Sequence, residues 1–244
     1  QLSNMLQFEP YVHRHLDWKA PLDRIGSSPF LVVEKQGRVV AALACPPDPP
    51  AVAWVRIFAL ANSLTLDEAW YRLWSEARAL LASSVTVAAI AMEPWFQKVL
   101  FNNGFRHTHN VVMLSWERNS AALEPPRFTG EIRPMQVEDL PAIQAVDEVA
   151  FSPLWRNSRE SLHLAFQQNS LATVTTDEQG IVGYQISTPS PLGSHLARLA
   201  VHPRAQGTGI GYALVFHLVQ AFKERGALRI TVNTQHQNYP SLAL

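Results

Sequence analysis

The residues whose types and spacing could do chemistry lie in one loop in the last quarter of the chain. Three glycines, Gly207, Gly209 and Gly211, alternate along this loop, between an apolar run and an amphipathic stretch. Glycine adopts the left-handed backbone conformations that let successive N–H groups converge on an anion. Because the stretch that follows predicts a helix, those N–H groups lie at the positive end of its dipole. The loop is therefore a candidate phosphate-binding site.

Two common glycine-rich motifs do not fit this loop. A P-loop needs Lys followed by Ser or Thr after the last glycine, whereas Gly211 is followed by Tyr212. The dinucleotide fingerprint separates its last two glycines by two residues, and only one residue lies between Gly209 and Gly211. A glycine-rich turn that lets the helix pack closely is the structural alternative.

The loop and its flanks resemble the acetyl-CoA signature of the GNAT superfamily of N-acetyltransferases. The core of that signature is Gln or Arg, two residues, Gly, one residue and then Gly or Ala, matched here by Gln206, Gly209 and Gly211. The preceding Val-His-Pro and the following Ala-Leu belong to the same extended pattern, and Asn238 begins a second motif of the family. The resemblance implies an N-acetyltransferase that transfers an acetyl group to a primary amine by direct attack on the thioester.

The resemblance also implies acetyl-CoA as a co-substrate and a set of residues that bind it. In the family the strand before the loop offers backbone groups to the pantetheine arm, and the loop amides surround the pyrophosphate. Arg204 is a plausible charge partner of the phosphates, and Asn238 would hydrogen-bond the pantetheine. The residues implied for acetyl-CoA binding are Leu199, Ala200, Val201, Arg204, Gln206, Gly207, Thr208, Gly209, Ile210, Gly211, Tyr212 and Asn238.

The residues that move protons are unknown from the sequence. Relatives often place a catalytic Glu on the strand that corresponds to residues 228–233, which contain no carboxylate here. In many relatives the acid is a Tyr that aligns one position beyond Leu244. Weak candidates for a catalytic role are Tyr184, His236 and Asn233; His195 and His202 also lie near the proposed cleft and could serve as bases. A core position for the tyrosine and solvated loop positions for the histidines are the alternatives.

The hydropathy pattern predicts the elements that must position these residues. In the second half it predicts strands over residues 129–133, 171–177, 181–188, 195–201 and 228–233, and helices over 137–150, 158–167 and from about 210. In the first half it predicts strands over residues 30–35, 39–45, 53–60, 85–91 and 107–116, and helices over 66–82 and 94–102. Elements of the same type follow in the same order at an offset of about 142, at which Arg56 aligns with Arg198. This repetition predicts a duplicated α/β (α+β mixed-sheet) protein.

The expected architecture is two tandem acyl-CoA N-acyltransferase (GNAT) folds, each a mixed central sheet flanked by helices. We expect residues 1–119 to form a degenerate GNAT-like domain, 120–128 a Pro-containing linker, and 129–244 the acetyl-CoA-binding GNAT domain, truncated at its C-terminus. Where the second half has its glycines, the first half has none over residues 60–67. The first domain is therefore predicted not to bind acetyl-CoA, and instead to pack against the active copy or help shape the acceptor site.

The composition limits the partners. Lys plus Arg and Asp plus Glu number 20 each, so no overall field favours nucleic acid or an anionic membrane. No apolar run approaches the length that spans a bilayer, and we expect a soluble, cytoplasmic protein. Cys45 is the single cysteine, which excludes an intrachain disulfide. Two pairs of histidines have alternate spacing, His13 with His15 and His107 with His109, but neither pair has a carboxylate cluster nearby, so no metal is expected.

The acceptor class and the activity have open alternatives. The acceptor is expected to be a small-molecule amine or a peptide amine, and the protein a monomer or homodimer. A non-catalytic acyl-CoA-binding sensor or regulatory module is the alternative from another class. A tandem acetyltransferase of the mycothiol-synthase type is the third possibility.

Overall fold

The computed structural model describes residues 1–15 and 17–244, and the chain divides into two compact units, Gln1–His107 and Thr108–Leu244. The helices of the first unit are α1 (Leu2–Phe8), α2 (Leu66–Leu80) and α3 (Pro94–Asn102). Its strands are β1 (Tyr11–Arg14), β2 (Phe30–Lys35), β3 (Arg38–Ala44), β4 (Val52–Trp54), β5 (Ile57–Leu60) and β6 (Thr86–Ala88).

The strands of the first unit form two sheets. One has the order β1-β5-β3-β2, and the other is the parallel pair of β4 and β6. The single strand predicted over residues 53–60 is thus two strands, with Val55 and Arg56 between them. Helix α2 packs its apolar stripe into the core, where Trp70 meets the ring of Phe58 edge-on at 5.1 Å.

Helix α2 begins where its sequence predicts. The Thr65 hydroxyl accepts a hydrogen bond from the Glu68 amide at 3.2 Å, which satisfies one of the free donors of the first turn. Trp70, Leu73 and Ala77 follow at helical spacing, and all three are buried. The helix predicted over residues 66–82 is confirmed and ends two residues early, at Leu80; its cap and its apolar spacing both depend on residues close together in the chain.

The second unit contains six strands and four α-helices in the described part of the chain. The strands are β7 (Val111–Glu117), β8 (Ile132–Pro134), β9 (Leu171–Asp177), β10 (Gly180–Ser190), β11 (Gly193–Val201) and β12 (Arg229–Gln235). The helices are α4 (Leu140–Ala150), α5 (Arg159–Gln167), α6 (Ile210–Glu224) and α7 (Tyr239–Leu242).

One mixed sheet with the order β7-β12-β11-β10-β9-β8 is the centre of the second unit. Strands β11 and β12 are parallel, and all other neighbours are antiparallel. Gly183 contacts α6, whereas the next residue, Tyr184, reaches α4, and successive side chains of a strand point to opposite faces. Helices α4 and α6 therefore cover opposite faces of the sheet.

Strand β7 corrects the predicted domain boundary. The prediction that residues 107–116 close the first domain was wrong, because β7 pairs with β12 along its whole length, from Val111 opposite Gln235 to Glu117 opposite Arg229. The boundary falls after His107 rather than at 119, and residues 120–128, expected as a linker, lie inside the second unit. An apolar run indicates a strand but not its partner. Here Trp116 packs with Leu196, Leu218 and Ile230.

Candidate functional site

The glycine loop takes the backbone conformation that its sequence predicts. Gly207 and Gly209 have φ values of 77° and 87°, in the left-handed region, and an added Cβ would meet no atom within 4 Å at either position. Both glycines are therefore required for conformation and not for lack of space. Gly209 precedes the first turn of α6, in which the amides of Ile210, Gly211 and Tyr212 have no partner inside the helix. These donors point towards the loop at the positive end of a 15-residue helix.

A fourth glycine, absent from the sequence prediction, positions the helix. A Cβ on Gly183 in β10 would lie 2.8 Å from Cγ2 of Ile210, too close for two carbon atoms. The missing side chain lets the first turn of α6 lie directly on the sheet. No local pattern marks this glycine, because the clash is with a residue 27 positions later in the chain.

Polar side chains of the loop hold its shape. Gln206 Nε2 donates to the Val201 carbonyl at 3.0 Å, and Thr208 Oγ1 donates to the Ala205 carbonyl at 2.7 Å. Arg204, predicted as a phosphate partner, instead pairs with Asp177 at 3.1 Å. The Arg204 hydrogen bonds lower the pKa of Asp177. The exposed pair leaves Arg204 at the rim of the loop.

Strand β11 opens a gap in the middle of the sheet. It pairs with β12 only as far as Leu196 opposite Val232, so within the described residues 197–201 have no partner on that side. On the other side, the pairing with β10 shifts between Leu196 and Arg198, which leaves Ala197 as a bulge. Leu199 and Val201 stay half-buried in a central strand of the sheet. Bulges of this kind occur next to active sites, where they end the pairing of a strand.

A cavity of about 310 Å³ follows this gap through the sheet. Its apolar part includes Leu218 and Val219 of α6, and its other end includes Phe151 and Arg198 on the α4 face. Among the predicted residues, Leu199, Asn233 and Asn238 line it. Its hydroxyl and amide groups come from Ser115, Ser120, Thr231, Asn233, Thr234, Asn238 and Ser241.

The three catalytic candidates occupy different environments. Tyr184 is fully buried and donates its hydroxyl to Asp147 Oδ2 at 2.5 Å, and burial raises its pKa well above the usual value. His236 is exposed in the turn after β12. Asn233 is exposed and lines the cavity, but an amide cannot accept a proton from an amine.

His195 reaches the cavity through a hydroxyl group. Its Nδ1 atom lies 2.8 Å from Oγ1 of Thr231, and Thr231 lines the cavity. Burial lowers the pKa of His195 from 6.5, so the imidazole is neutral at pH 7. The pair thus joins a proton acceptor to the cavity wall. The two residues are opposite each other in the parallel pairing of β11 and β12.

The corresponding place in the first unit is filled. Strand β4 pairs in parallel with β6, as the first part of β11 pairs with β12. Strand β5 corresponds to the unpaired part of β11. The edge of β5 that faces away from β3 is hydrogen-bonded to β1, from Tyr11 opposite Leu60 to Arg14 opposite Ile57. Val55 to Leu60 are accordingly buried, with Arg56 the most exposed at 7%. The backbone of β5 has no free edge for a ligand.

A buried histidine, His13, and a half-buried one, His15, lie beside this filled edge. His13 in β1 stacks on Phe96 at 4.1 Å, and burial lowers its pKa to about 4. Burial and the nearby Arg56 lower the pKa of His15 well below its usual value. In residues 1–15 and 17–244, no three His, Cys, Asp or Glu side chains are grouped to hold a metal ion.

A sequence comparison identifies the second unit. The family described as "Acetyltransferase (GNAT) family" matches residues 137–244, which contain the glycine loop, the gap beside β11 and most of the cavity. The second unit is a GNAT acetyltransferase domain. Its signature glycines are the residues whose left-handed conformations open the N-terminus of α6. No curated protein sequence matches the chain.

Solved structures extend the GNAT fold likeness over most of the chain. A GCN5-related N-acetyltransferase from Sphaerobacter thermophilus has 17% identity and a TM-score of 0.58, over 84% of this chain and 71% of that one. A tandem GNAT protein from the clavulanic acid biosynthesis pathway has 17% identity and a TM-score of 0.54, over 87% and 75%. A GNAT-family acetyltransferase from Colwellia psychrerythraea has 13% identity and a TM-score of 0.53, over 87% and 77%. At these identities the likeness is one of fold, and it confirms the predicted tandem arrangement.

No helix in the described part of the chain has both the length and the hydropathy needed to cross a bilayer.

Proposed function

We propose that the GNAT domain binds acetyl-CoA in the gap beside β11 and transfers the acetyl group to a primary amine. The observation that carries this proposal is the coincidence of an unpaired strand edge at residues 197–201 with the glycine loop at the end of the same strand. The free edge suits the two amides of a pantetheine arm, and the first turn of α6 suits its pyrophosphate. The cavity of about 310 Å³ continues from there to the opposite face.

The chemistry requires two proton movements. The amine nitrogen forms a bond to the carbonyl carbon, the C–S bond breaks, the amine loses a proton and the CoA thiolate gains one. A primary amine with a pKa of about 10.4 is almost entirely protonated at pH 7, so a base must accept its proton. No carboxylate or imidazole is among the described residues that line the cavity.

We infer that His195 accepts this proton through the hydroxyl of Thr231. Thr231 donates its hydrogen to Nδ1 of neutral His195 across 2.8 Å, and its oxygen takes the proton of the amine or of an intervening water. The lowered pKa of His195 keeps the imidazole neutral and able to act at pH 7. Of the earlier candidates, Asn233 is left with a polar contact in the cavity, while Tyr184 and His236 have no proposed role in the transfer.

The activity can be measured by the free thiol of the CoA that acetyl transfer releases. A panel of primary amines (spermidine, tyramine, lysine methyl ester and an N-terminal alanine peptide) would be tested with acetyl-CoA and a thiol reagent. Cys45 is fully buried and its pKa is raised to about 12, so the protein itself contributes little signal. Acetyl transfer supports the proposal, binding of CoA without transfer would identify a sensor, and no binding would refute the assignment of the gap.

The base assignment has its own test in a pH profile. Because neutral His195 is the active form, kcat/KM should decrease as the pH is lowered through the pKa of His195, which lies below 6.5. This decrease is the acidic limb of the pH profile. His195→Gln should lower kcat by about 100-fold and remove this acidic limb, with CoA affinity unchanged. Thr231→Val, which removes only the hydroxyl, should have the same effect on the limb. A limb that persists in both variants would exclude the relay.

We further propose that the first unit is a degenerate GNAT copy without a donor site. The filled edge of β5 and the absence of glycine between Leu60 and Thr65 support this proposal. The whole chain would then bind one acetyl-CoA.

A further inference from the structure

A buried ion pair joins α4 to β11 beside the cavity. The Asp147 side chain is 0% exposed and that of Arg198 is 12% exposed. Arg198 Nε and Nη2 donate to Oδ2 and Oδ1 of Asp147 at 2.7 and 2.8 Å. Tyr184 supplies a second donor to Oδ2, and the Asn157 amide supplies a second donor to Oδ1 at 2.9 Å. A carboxylate can be buried this completely because each oxygen receives two hydrogen bonds.

The same pair holds the connection between α4 and α5. Arg198 Nη2 donates to the Trp155 carbonyl at 2.8 Å, and its guanidinium carbon lies 3.5 Å from the ring centre of Phe151. Asp147 accepts from the amide of Asn157 at the other end of the connection. Residues 151–157 are thus fixed at their start, middle and end by two side chains that also bind each other.

This connection borders one end of the cavity. Phe151 and Arg198 line the cavity on the α4 face of the sheet, whereas Val215, Leu218 and Val219 of α6 line it on the opposite face. The glycine loop leads into α6, so the proposed donor enters on the α6 side. The amine must then approach the thioester from the side of Phe151, which stands at the start of residues 151–157 and forms part of the wall together with Arg198.

We propose that Asp147 and Arg198 are a positioning pair that fixes this wall and thereby sets the affinity for the acceptor amine. The inference rests on the proposed function and names the region that recognises its second substrate. Arg198 is not a catalytic residue, because a guanidinium stays protonated, and its Nε and Nη2 donors are taken by Asp147 and Trp155. The Phe151 ring and the guanidinium stacked on it both line the cavity.

Arg198→Lys tests the pair in the full-length chain. A lysine keeps the charge but cannot bind both carboxylate oxygens and the Trp155 carbonyl at once, nor stack as a plane on Phe151. For the amine of the panel that the wild type acetylates fastest, KM should rise by at least about tenfold while kcat changes by less than about threefold. The dissociation constant for CoA, measured by calorimetry, should stay within about twofold. Hydrogen exchange of residues 151–157 should accelerate by at least about tenfold.

Arg133→Lys is the matched control. Arg133 also binds both carboxylate oxygens of an aspartate, Asp139, at 2.7 and 2.8 Å, through Nη1 and Nη2, but it does not line the cavity. Its KM for the amine should equal that of the wild type. The comparison shows whether KM responds to the loss of any arginine–aspartate pair with two hydrogen bonds or only to the loss of the Arg198–Asp147 pair.

Phe151→Leu keeps the ion pair and removes the stacked ring, so it tests the wall if Arg198→Lys does not fold. It should also raise KM for the amine without weakening CoA binding. An unchanged KM, unchanged exchange of residues 151–157, or a parallel loss of CoA affinity would overturn the positioning role. Failure of the proposed function is a distinct result, because the wild type itself would then bind no CoA or would acetylate no amine of the panel.

Discussion

The edges of β5 and β11 show how one short strand separates a filled copy from an open one. Both strands follow a stretch that pairs in parallel with its neighbour, and both pair with the preceding hairpin strand on one side. On the other side β5 is bonded to β1, whereas residues 197–201 of β11 have no partner in the described chain. Four residues of backbone therefore occupy in the first unit the edge that the proposed donor uses in the second.

The two units also share an arginine at the corresponding strand position. Arg56 pairs with Asp17 at 2.7 Å, as Arg198 pairs with Asp147 at 2.7 Å. Arg56 is enclosed, and burial lowers its pKa, whereas Arg198 reaches a cavity. Each unit thus has an arginine–aspartate pair here, although Asp147 lies in α4 and Asp17 lies in the segment after β1. The proposed use of the Arg198–Asp147 pair in acceptor binding depends on the open gap beside it.

Substitution of Gly209 should have the largest effect on this contrast. Gly209→Asp places a side chain at φ 87° and a negative charge beside the first turn of α6, so CoA affinity should fall by more than about 100-fold. Calorimetry of the wild type should show one site per chain. Gly104→Asp is the matched control, because Gly104 has φ 81° with equally open space and lies in the first unit. Two sites in the wild type, or retained binding in Gly209→Asp, would remove the distinction between the copies.

Low pH should destabilise the first unit through His13, which lies in β1. Above pH 6.5 the folded and unfolded forms are both neutral at this site; between pH 6.5 and about 4 only the unfolded form binds a proton. The free energy of unfolding of the first unit should therefore fall over this window, by up to about 3 kcal/mol from His13. Burial of His15 acts in the same direction.

Urea unfolding followed by tryptophan fluorescence measures this change, since five of the seven tryptophans lie in residues 1–107. His13→Gln should flatten the dependence between pH 6.5 and 4, because glutamine does not titrate. An equal slope in wild type and variant would show that His13 does not couple the β1 edge to pH.

Gly183→Ala should have a smaller effect, confined to the open copy. The new Cβ would lie 2.8 Å from Ile210 Cγ2, so the first turn of α6 must shift away from the sheet. We expect a loss of about 1–2 kcal/mol in unfolding free energy and a several-fold weaker CoA affinity. Gly180→Ala is the comparison within the same strand: its φ of 114° makes alanine strained there, but an added Cβ meets no atom within 4 Å, so this variant should lose stability without weakening CoA. Equal CoA affinity in Gly183→Ala and the wild type would contradict the role of this close contact.

Asn238→Ala should have the smallest effect. Asn238 lines the cavity and caps α7, with its Oδ1 accepting from the Ser241 amide at 3.4 Å. Loss of one hydrogen-bonding group should weaken CoA by about five- to tenfold. Asn103→Ala, which removes a 2.8 Å bond to Val99 at the end of α3, should leave CoA affinity unchanged. Equal affinities in the two variants would exclude Asn238 from the donor site.

Features that depend on neighbours in the chain could be predicted from the sequence. Strand β9 runs from Leu171 to Asp177 as predicted, and α5 (Arg159–Gln167) matches the helix predicted over residues 158–167, with Ser158 as its cap rather than its first residue. The glycine loop and its helix lie where the signature places them. Alternation, caps and glycine spacing all operate within a few residues, so a single sequence contains them.

Features that depend on distant residues could not be predicted. The helix predicted over residues 137–150 contains Asp147, but nothing within that helix indicates that Arg198, 51 positions later, binds and buries it. No strand is predicted before residue 30, so β1 is found only in the structure. The four residues Tyr-Val-His-Arg were its only local signal, too short to distinguish a strand from a loop.

The sequence by itself determined the duplicated order of elements and the glycine loop, which predicts an anion-binding site in one of the two units. Only the tertiary structure decided that β1 closes the edge of β5, that β7 completes the second sheet, and that residues 197–201 stay open. The physical reason is that a strand's side-chain pattern encodes its faces, whereas its edges are identical backbone groups. Which chain segment satisfies those groups is settled by packing across the whole unit.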